Sequence, residues 1–289
     1  MNNYLNLLEH VMLTGEYRPD RTGTGTLSVF GANFQCNLID GFPLLTTKKL
    51  PLRWIFEELS WFLSGETNAK VLQEKGVTIW DEWATAKQCS KFNREEGDLG
   101  PVYGALWRTY PIGHVQTMHN KRYLGPENQY ATFDQIWNLI EGIKNNPYGR
   151  RHIISGWHPY WATQVELPPC HTLFQLYCHM DLGISLKLYA RSIDIFLGLP
   201  FNIASYALLL HMIGNVVGRK PTFLSISFGD LHLYSNHISQ TKEQLDRIPH
   251  KLPTLDIVGK FNNITDITWE DIKLEGYDPY PNIKAPVAV

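Results

Sequence analysis

Residues 202–218 read NIASYALLLHMIGNVVG and are apolar nearly all the way round, and a helix without a polar face has to be buried on every side. Burial on every side needs layers, so the rest of the chain must supply sheets or helices to enclose this segment. Strand-forming segments surround it in sequence: RHIISGW, TLFQLYCHM, ISLKLYA and residues 222–234 are rich in β-branched and aromatic residues. Helical spacing recurs at 3–14, where Leu5, Leu8, Val11 and Met12 share a face, and at 52–64, about 132–145 and 236–247, with a short helix at 67–75. Gly15 and Gly65 stand where a left-handed residue would stop the first two helices. The polar DRTGTGT at 20–26 predicts a hairpin turn, and the following LSVFGANFQCNLI predicts strands bent at Gly31. The chain has 289 residues, 44% of them apolar, and shows no repeat or break in composition. One α/β domain over residues 1–289 is therefore expected, with polar surface insertions at 84–96 and 111–131.

Lys plus Arg number 26 against 28 for Asp plus Glu, which gives no global pull towards nucleic acid or anionic lipid. No uninterrupted apolar run is long enough to span a membrane, and the first residues lack a basic leader. Four widely spaced cysteines contain no C-x-x-C pair, so a reducing cytoplasm is expected rather than a disulfide framework. The histidines do not group as ligands, His232 and His237 included, and no metal is expected.

Cys170 follows Pro168 and Pro169 and precedes a strand, so its thiol could project from a stiffened turn as a nucleophile. A buried structural cysteine is the competing reading, and it suits Cys36 and Cys178 in their alternating apolar runs, while Cys89 lies in a polar stretch. Arg150 and Arg151, and Arg191 beside Ser192, suit a phosphate through the planar guanidinium fork; solvated surface charge explains them equally well. Trp80 and Trp83 form either a platform for a flat ligand or ordinary core. Glu58, among Leu59, Trp61 and Phe62, is either half of a helix-face ion pair or a carboxyl with a raised pKa.

These pieces stand in a distinctive order: DRTGTGT, TTKKL, EELSWFLSGETN, TIWDEW, GDLGPVYG, GRRH, PPCH, RSIDIFLGLPFNIASYA, GDLHLYSNH and GYDPYPNIKAPVAV. From end to end the chain resembles the thymidylate synthase family. The resemblance implies a large mixed sheet packed with helices, a homodimer joined sheet to sheet, and methylenetetrahydrofolate as cosubstrate. It makes Cys170 the nucleophile that adds to C6 of deoxyuridylate and Arg21, Arg191 and Ser192 the phosphate cluster, completed by Arg150 and Arg151 of the partner chain. It makes Asn202 the reader of the uracil edge, where family members acting on deoxycytidylate carry Asp, and assigns His232 and Tyr234 to the sugar hydroxyl. Glu58 and Tyr103 become the proton-handling groups, Asp194 the pterin carboxylate, Trp80 and Trp83 the folate wall, and the tail ending at Val289 the lid.

Four departures from the family pattern stand near these positions. Ala190 replaces a usual Gln, His158 a usual Asn, Phe228 a small residue, and Ala105 with Leu106 a frequent Lys–Gln pair. They keep open a hydroxymethylase on the same scaffold, in which water captures the one-carbon unit, with His158 expected to touch the water network near Cys170. A catalytically silent nucleotide- or RNA-binding scaffold is the third reading, although Cys170, Glu58 and the arginines are all retained.

Overall fold

The computed structural model describes residues 1–112 and 131–287. In chain order the elements are α1 (Asn2–Thr14), β1 (Glu16–Arg18), β2 (Thr26–Phe30), β3 (Asn33–Asn37), α2 (Leu52–Ser64), α3 (Lys70–Gln73), α4 (Ala86–Ser90) and α5 (Gly104–Arg108). Then come β4 (Tyr110–Pro111), β5 (Thr132–Phe133), α6 (Gln135–Asn145), β6 (Ile153–Ser155), β7 (His171–Cys178), β8 (Gly183–Asp194) and α7 (Gly198–Val217). The chain closes with β9 (Lys220–Tyr234), α8 (Ile238–Leu245), β10 (Thr254–Ile257) and β11 (Ile272–Glu275).

A mixed seven-stranded sheet in the order β1-β2-β9-β8-β7-β6, with β3 also on β9, carries the molecule. Along one edge the long β9 serves two partners: its first half pairs with β3 and its second with β2. Between them Gly31, at φ 85°, makes the bend in a conformation that a side chain resists. Among the described strands only β8 and β9 run parallel, and α7 is the crossover that joins them. That connection explains the all-apolar segment, because α7 lies against the sheet and is covered in turn by α2 and α6. By length and composition α7 could cross a membrane, but 72% of its most apolar window is buried inside the fold. Pro200 falls in its first turn, where no backbone donor is needed.

Two local expectations need correcting. Gly15 is not left-handed: it is extended at φ −63°, and its role is close approach, since a Cβ there would stand 2.5 Å from the Val11 carbonyl oxygen and 3.0 Å from Leu27. Residues 84–96 are not a free surface loop, because α4, capped by the Thr85 side chain, buries Cys89 to 3% exposure. The second expected insertion, 111–131, lies largely outside the described residues; the adjoining ends pair as β4 and β5.

Candidate active site

Because β8 and β9 are parallel, their carboxyl ends open on the same side, with Ser192 opposite Asp230 and Asp194 opposite His232. Ligands in such sheets sit at strand carboxyl ends. The antiparallel β7 begins at this same end, so its first residues arrive beside the last turn of β8: His171 pairs with Ala190, and the Arg191 amide donates to the Cys170 carbonyl at 2.9 Å. Topology thus gathers Cys170, Arg191, Ser192, Asp194, His232 and Tyr234.

The Arg191 guanidinium holds the thiol turn. It donates to the Pro168 carbonyl at 2.7 Å and to that of Pro169 at 3.0 Å, and lies 3.7 Å from Cys170 Sγ. From the other side, the Cys170 amide donates to the Tyr103 hydroxyl at 2.9 Å. Tyr103 sits at φ 27°, a strained value for a side-chain-bearing residue and one that clusters at functional sites. What holds it is Gly104, where a Cβ would fall 2.3 Å from the Phe62 carbonyl oxygen, so α5 can lie against α2 only with glycine there. Burial pushes the Cys170 thiol up, and Arg191, the Tyr103 hydroxyl and Arg21 oppose this without overcoming it.

Glu58 makes no ion pair among the described residues. Its neighbour Glu57 makes the helix-face ion pairs, to Lys75 at 2.7 Å and Arg53 at 3.8 Å. Glu58 turns inward and accepts from Trp80 Nε1 at 2.8 Å, while burial raises its carboxyl to about 7. Trp80 is packed among Trp61, Phe62, Tyr103 and Trp83, so the two tryptophans belong to one aromatic cluster.

Asn202, in the first turns of α7, lies close enough to act on the buried His171, whose ring burial pushes down to about 4 and so keeps neutral. His232 meets Asp230 at 2.9 Å, which fixes its ring beside Tyr234. One oxygen of Asp194 accepts from the amides of Phe196 at 2.8 Å and Leu197 at 3.3 Å. Lys48, which spacing did not single out, joins this corner: it is 2% exposed, donates to the Phe196 carbonyl, and lies 3.7 Å from the Phe196 ring centre. Burial lowers it to about 7 and Asp194 opposes that shift. A buried lysine has no signature in spacing, although it stood in the quoted TTKKL motif.

Not every expected residue gathers within one chain. Arg21, exposed in the 20–26 turn, is close enough to act on the Cys170 thiol. Arg150 and Arg151 are exposed ahead of the edge strand β6. With Ile153 opposite Gln175, and Gln175 opposite Lys187, they lie about 20 Å along the strands from Arg191. Val289 lies outside the described residues, but the tail before it is anchored, with the Pro286 carbonyl 2.8 Å from His237 Nε2 and Ile283 buried.

The departures prove to be mostly interior. Ala190 is opposite Phe228 in the parallel register, and both are buried, at 0% and 2% exposure. The smallest residue of the row thus faces the largest, which makes them a volume-matched pair. Phe228 is therefore part of the core. Ala105 and Leu106 are also buried. His158 accepts from the Trp161 amide at 3.3 Å and packs on Tyr110, so its described contacts lie around its own turn.

A folate-like cosubstrate fits this donor set. The second Asp194 oxygen has no hydrogen bond among the described residues and can accept from a pterin's N–H groups. The indoles of Trp80 and Trp83 supply an aromatic wall. Among the described residues no cluster could hold a metal. The family model for thymidylate synthase matches residues 2–289, essentially the whole chain. Its members move a one-carbon unit from methylenetetrahydrofolate to C5 of deoxyuridylate, and it is to this thymidylate synthase family that the chain belongs.

Proposed function

We propose that the chain methylates deoxyuridylate to thymidylate, releasing dihydrofolate. The observation that carries this choice over hydroxymethylation is the bond from Trp80 to Glu58. A trapping water needs polar partners, and the packed indole has one polar atom, Nε1, which Glu58 occupies at 2.8 Å.

Cys170 is the nucleophile that adds to C6. Arg191 and Arg21 favour its thiolate against burial, and they form the phosphate cluster with Ser192, so the same cations seat the nucleotide and activate the thiol. Asn202, beside His171, presents one donor and one acceptor to the uracil O4 and N3–H. His232 and Tyr234 hold the sugar hydroxyl. Glu58, near 7, can give and take a proton at the O4 edge at neutral pH, and Tyr103 assists removal of the C5 proton. Methylenetetrahydrofolate, when bound, supplies the one-carbon unit and the hydride. The anchored tail shields that transfer from water. With deoxyuridylate and methylenetetrahydrofolate, the expected products are thymidylate and one dihydrofolate per nucleotide, read by mass and absorbance; hydroxymethyl-deoxyuridylate with tetrahydrofolate would overturn the reading.

The active unit is a homodimer. On the sheet face away from α7, Leu173, Tyr177, Tyr189 and Phe223 are 41%, 64%, 40% and 37% exposed, a run of apolar side chains suited to an association surface. A two-fold contact there would bring Arg150 and Arg151 to the neighbour's phosphate cluster. Cys170→Ser and Arg151→Ala should each be inactive alone. Once their subunits exchange, the mixture should regain about a quarter of full activity, because half the dimers then hold one intact site. No recovery would refute the shared site. Four free cysteines support placing the enzyme in a reducing cytoplasm.

A further inference from the structure

The turn that carries Cys170 is held at its end by Arg191 and Tyr103, but its beginning is held by a segment that no catalytic role has claimed. Lys91 Nζ meets the Glu166 carboxylate at 2.9 Å, and Arg94 donates to the Gln164 carbonyl at 2.6 Å. Both come from the residues just after α4. That segment is itself fixed: Cys89 is buried, Thr85 caps the helix, and the Arg94 amide returns to the Cys89 carbonyl at 3.2 Å. The Arg94 guanidinium lies flat over Gly100, where a Cβ would stand 2.2 Å from Cζ, so its seat exists only because residue 100 has no side chain. Trp80, Trp83 and Val102 share a small pocket with Phe92 and Leu167, which places the segment, the wall and the thiol turn in one packed unit.

We propose that residues 86–94 are a clamp for the catalytic turn, with Arg94 as the principal positioning residue and Lys91 as its support. Residues 164–170 form no strand or helix, so the backbone that sets the direction of the thiol has no ladder to define it. Four side chains do that work instead: Lys91 and Arg94 at the start, Arg191 and Tyr103 at the end. With the start released, Arg191 and Tyr103 would have to hold the turn from its end alone, and Sγ would lose its fixed place beside the guanidinium. A displacement of about 1 Å at a reacting atom can cost about 100-fold in rate.

The inference rests on Cys170 as the nucleophile, and its test reads the thiol directly. Arg94→Ala, Arg94→Lys and Lys91→Met would be compared with the unaltered protein for alkylation of Cys170 by iodoacetamide across pH, followed by mass of the Cys170 peptide without substrates. The same proteins would be assayed for kcat, deoxyuridylate affinity and melting temperature. Arg94→Ala should lower kcat by about 10- to 100-fold, shift the alkylation profile, and change deoxyuridylate affinity less than about threefold, since it removes no residue of the nucleotide site. Arg94→Lys, which can still donate to Gln164, should recover most of the loss, and Lys91→Met should show a smaller change of the same kind. An unchanged alkylation profile and kcat in Arg94→Ala would overturn the clamp. So would a parallel fall of kcat, affinity and melting temperature, the pattern of local unfolding. If Cys170 is not the nucleophile, Cys170→Ser retains turnover whatever Arg94 does, so the two failures are separable.

Discussion

Glu58→Gln should make the substrate-free protein more stable at pH 8 while lowering turnover by about 10²- to 10⁴-fold. Both effects come from one buried carboxyl. Burial raises Glu58 from 4.5 to about 7, so the unfolded chain releases its proton before the folded one does. A group whose folded pKa is raised stabilises the fold fully only below its unfolded value, and that contribution is lost as pH climbs from about 4.5 to about 7. Above that window the folded protein carries an ionised carboxylate whose described partner is a single indole N–H. Glutamine keeps an oxygen to accept from Trp80 and never ionises. Its stability advantage should therefore grow by about 2 to 3 kcal/mol between pH 5 and pH 8, several degrees of melting temperature by calorimetry. An advantage independent of pH would show that Glu58 does not titrate in this range, and the proton-transfer role would fall with it.

Phe228→Gly alone should destabilise the fold by about 3 to 5 kcal/mol, the cost of emptying a buried aromatic site. Ala190→Gln alone should cost about 1 to 3 kcal/mol, because the row across β7, β8 and β9 has no room for a longer side chain. Made together, the two substitutions should cost less than the sum, by at least about 1 kcal/mol in urea unfolding. The ring removed by one makes space for the chain added by the other, and the new amide would lie opposite His171, whose Nδ1 is buried without a hydrogen bond. The double variant should still make thymidylate. Additive costs would show that the pair is not coupled, and a switch to hydroxymethylated product would return Phe228 to the active-site wall.

Some of this was legible residue by residue. Gly65, at φ 77°, stops α2 as its position implied, because a helix that ends in a left-handed turn favours glycine. The same logic failed at Gly15, where contact with Val11 and β2, not backbone dihedral, requires the missing side chain. Cys170 stood out through its prolines, but its protonation did not, since that depends on burial set by β7, β8 and α5 together. Glu57 and Glu58 are identical as sequence. One helical step sends the first to Lys75 and the second to Trp80, and only packing against the aromatic wall separates an ion pair from a raised carboxyl.

What the chain determined by itself was local and additive: the buried helix from its unbroken apolar circumference, the strands from their alternation, the hairpin at 20–26, and the family from motifs spread over the whole length. What the tertiary structure decided was everything that depends on neighbours distant in sequence. Register set Phe228 against Ala190, residues after α4 came to hold the turn before Cys170, and burial rather than nearby charge set the state of the thiol. The physical reason is that periodicity reports which face of an element is buried, whereas reactivity follows from which atoms share that burial.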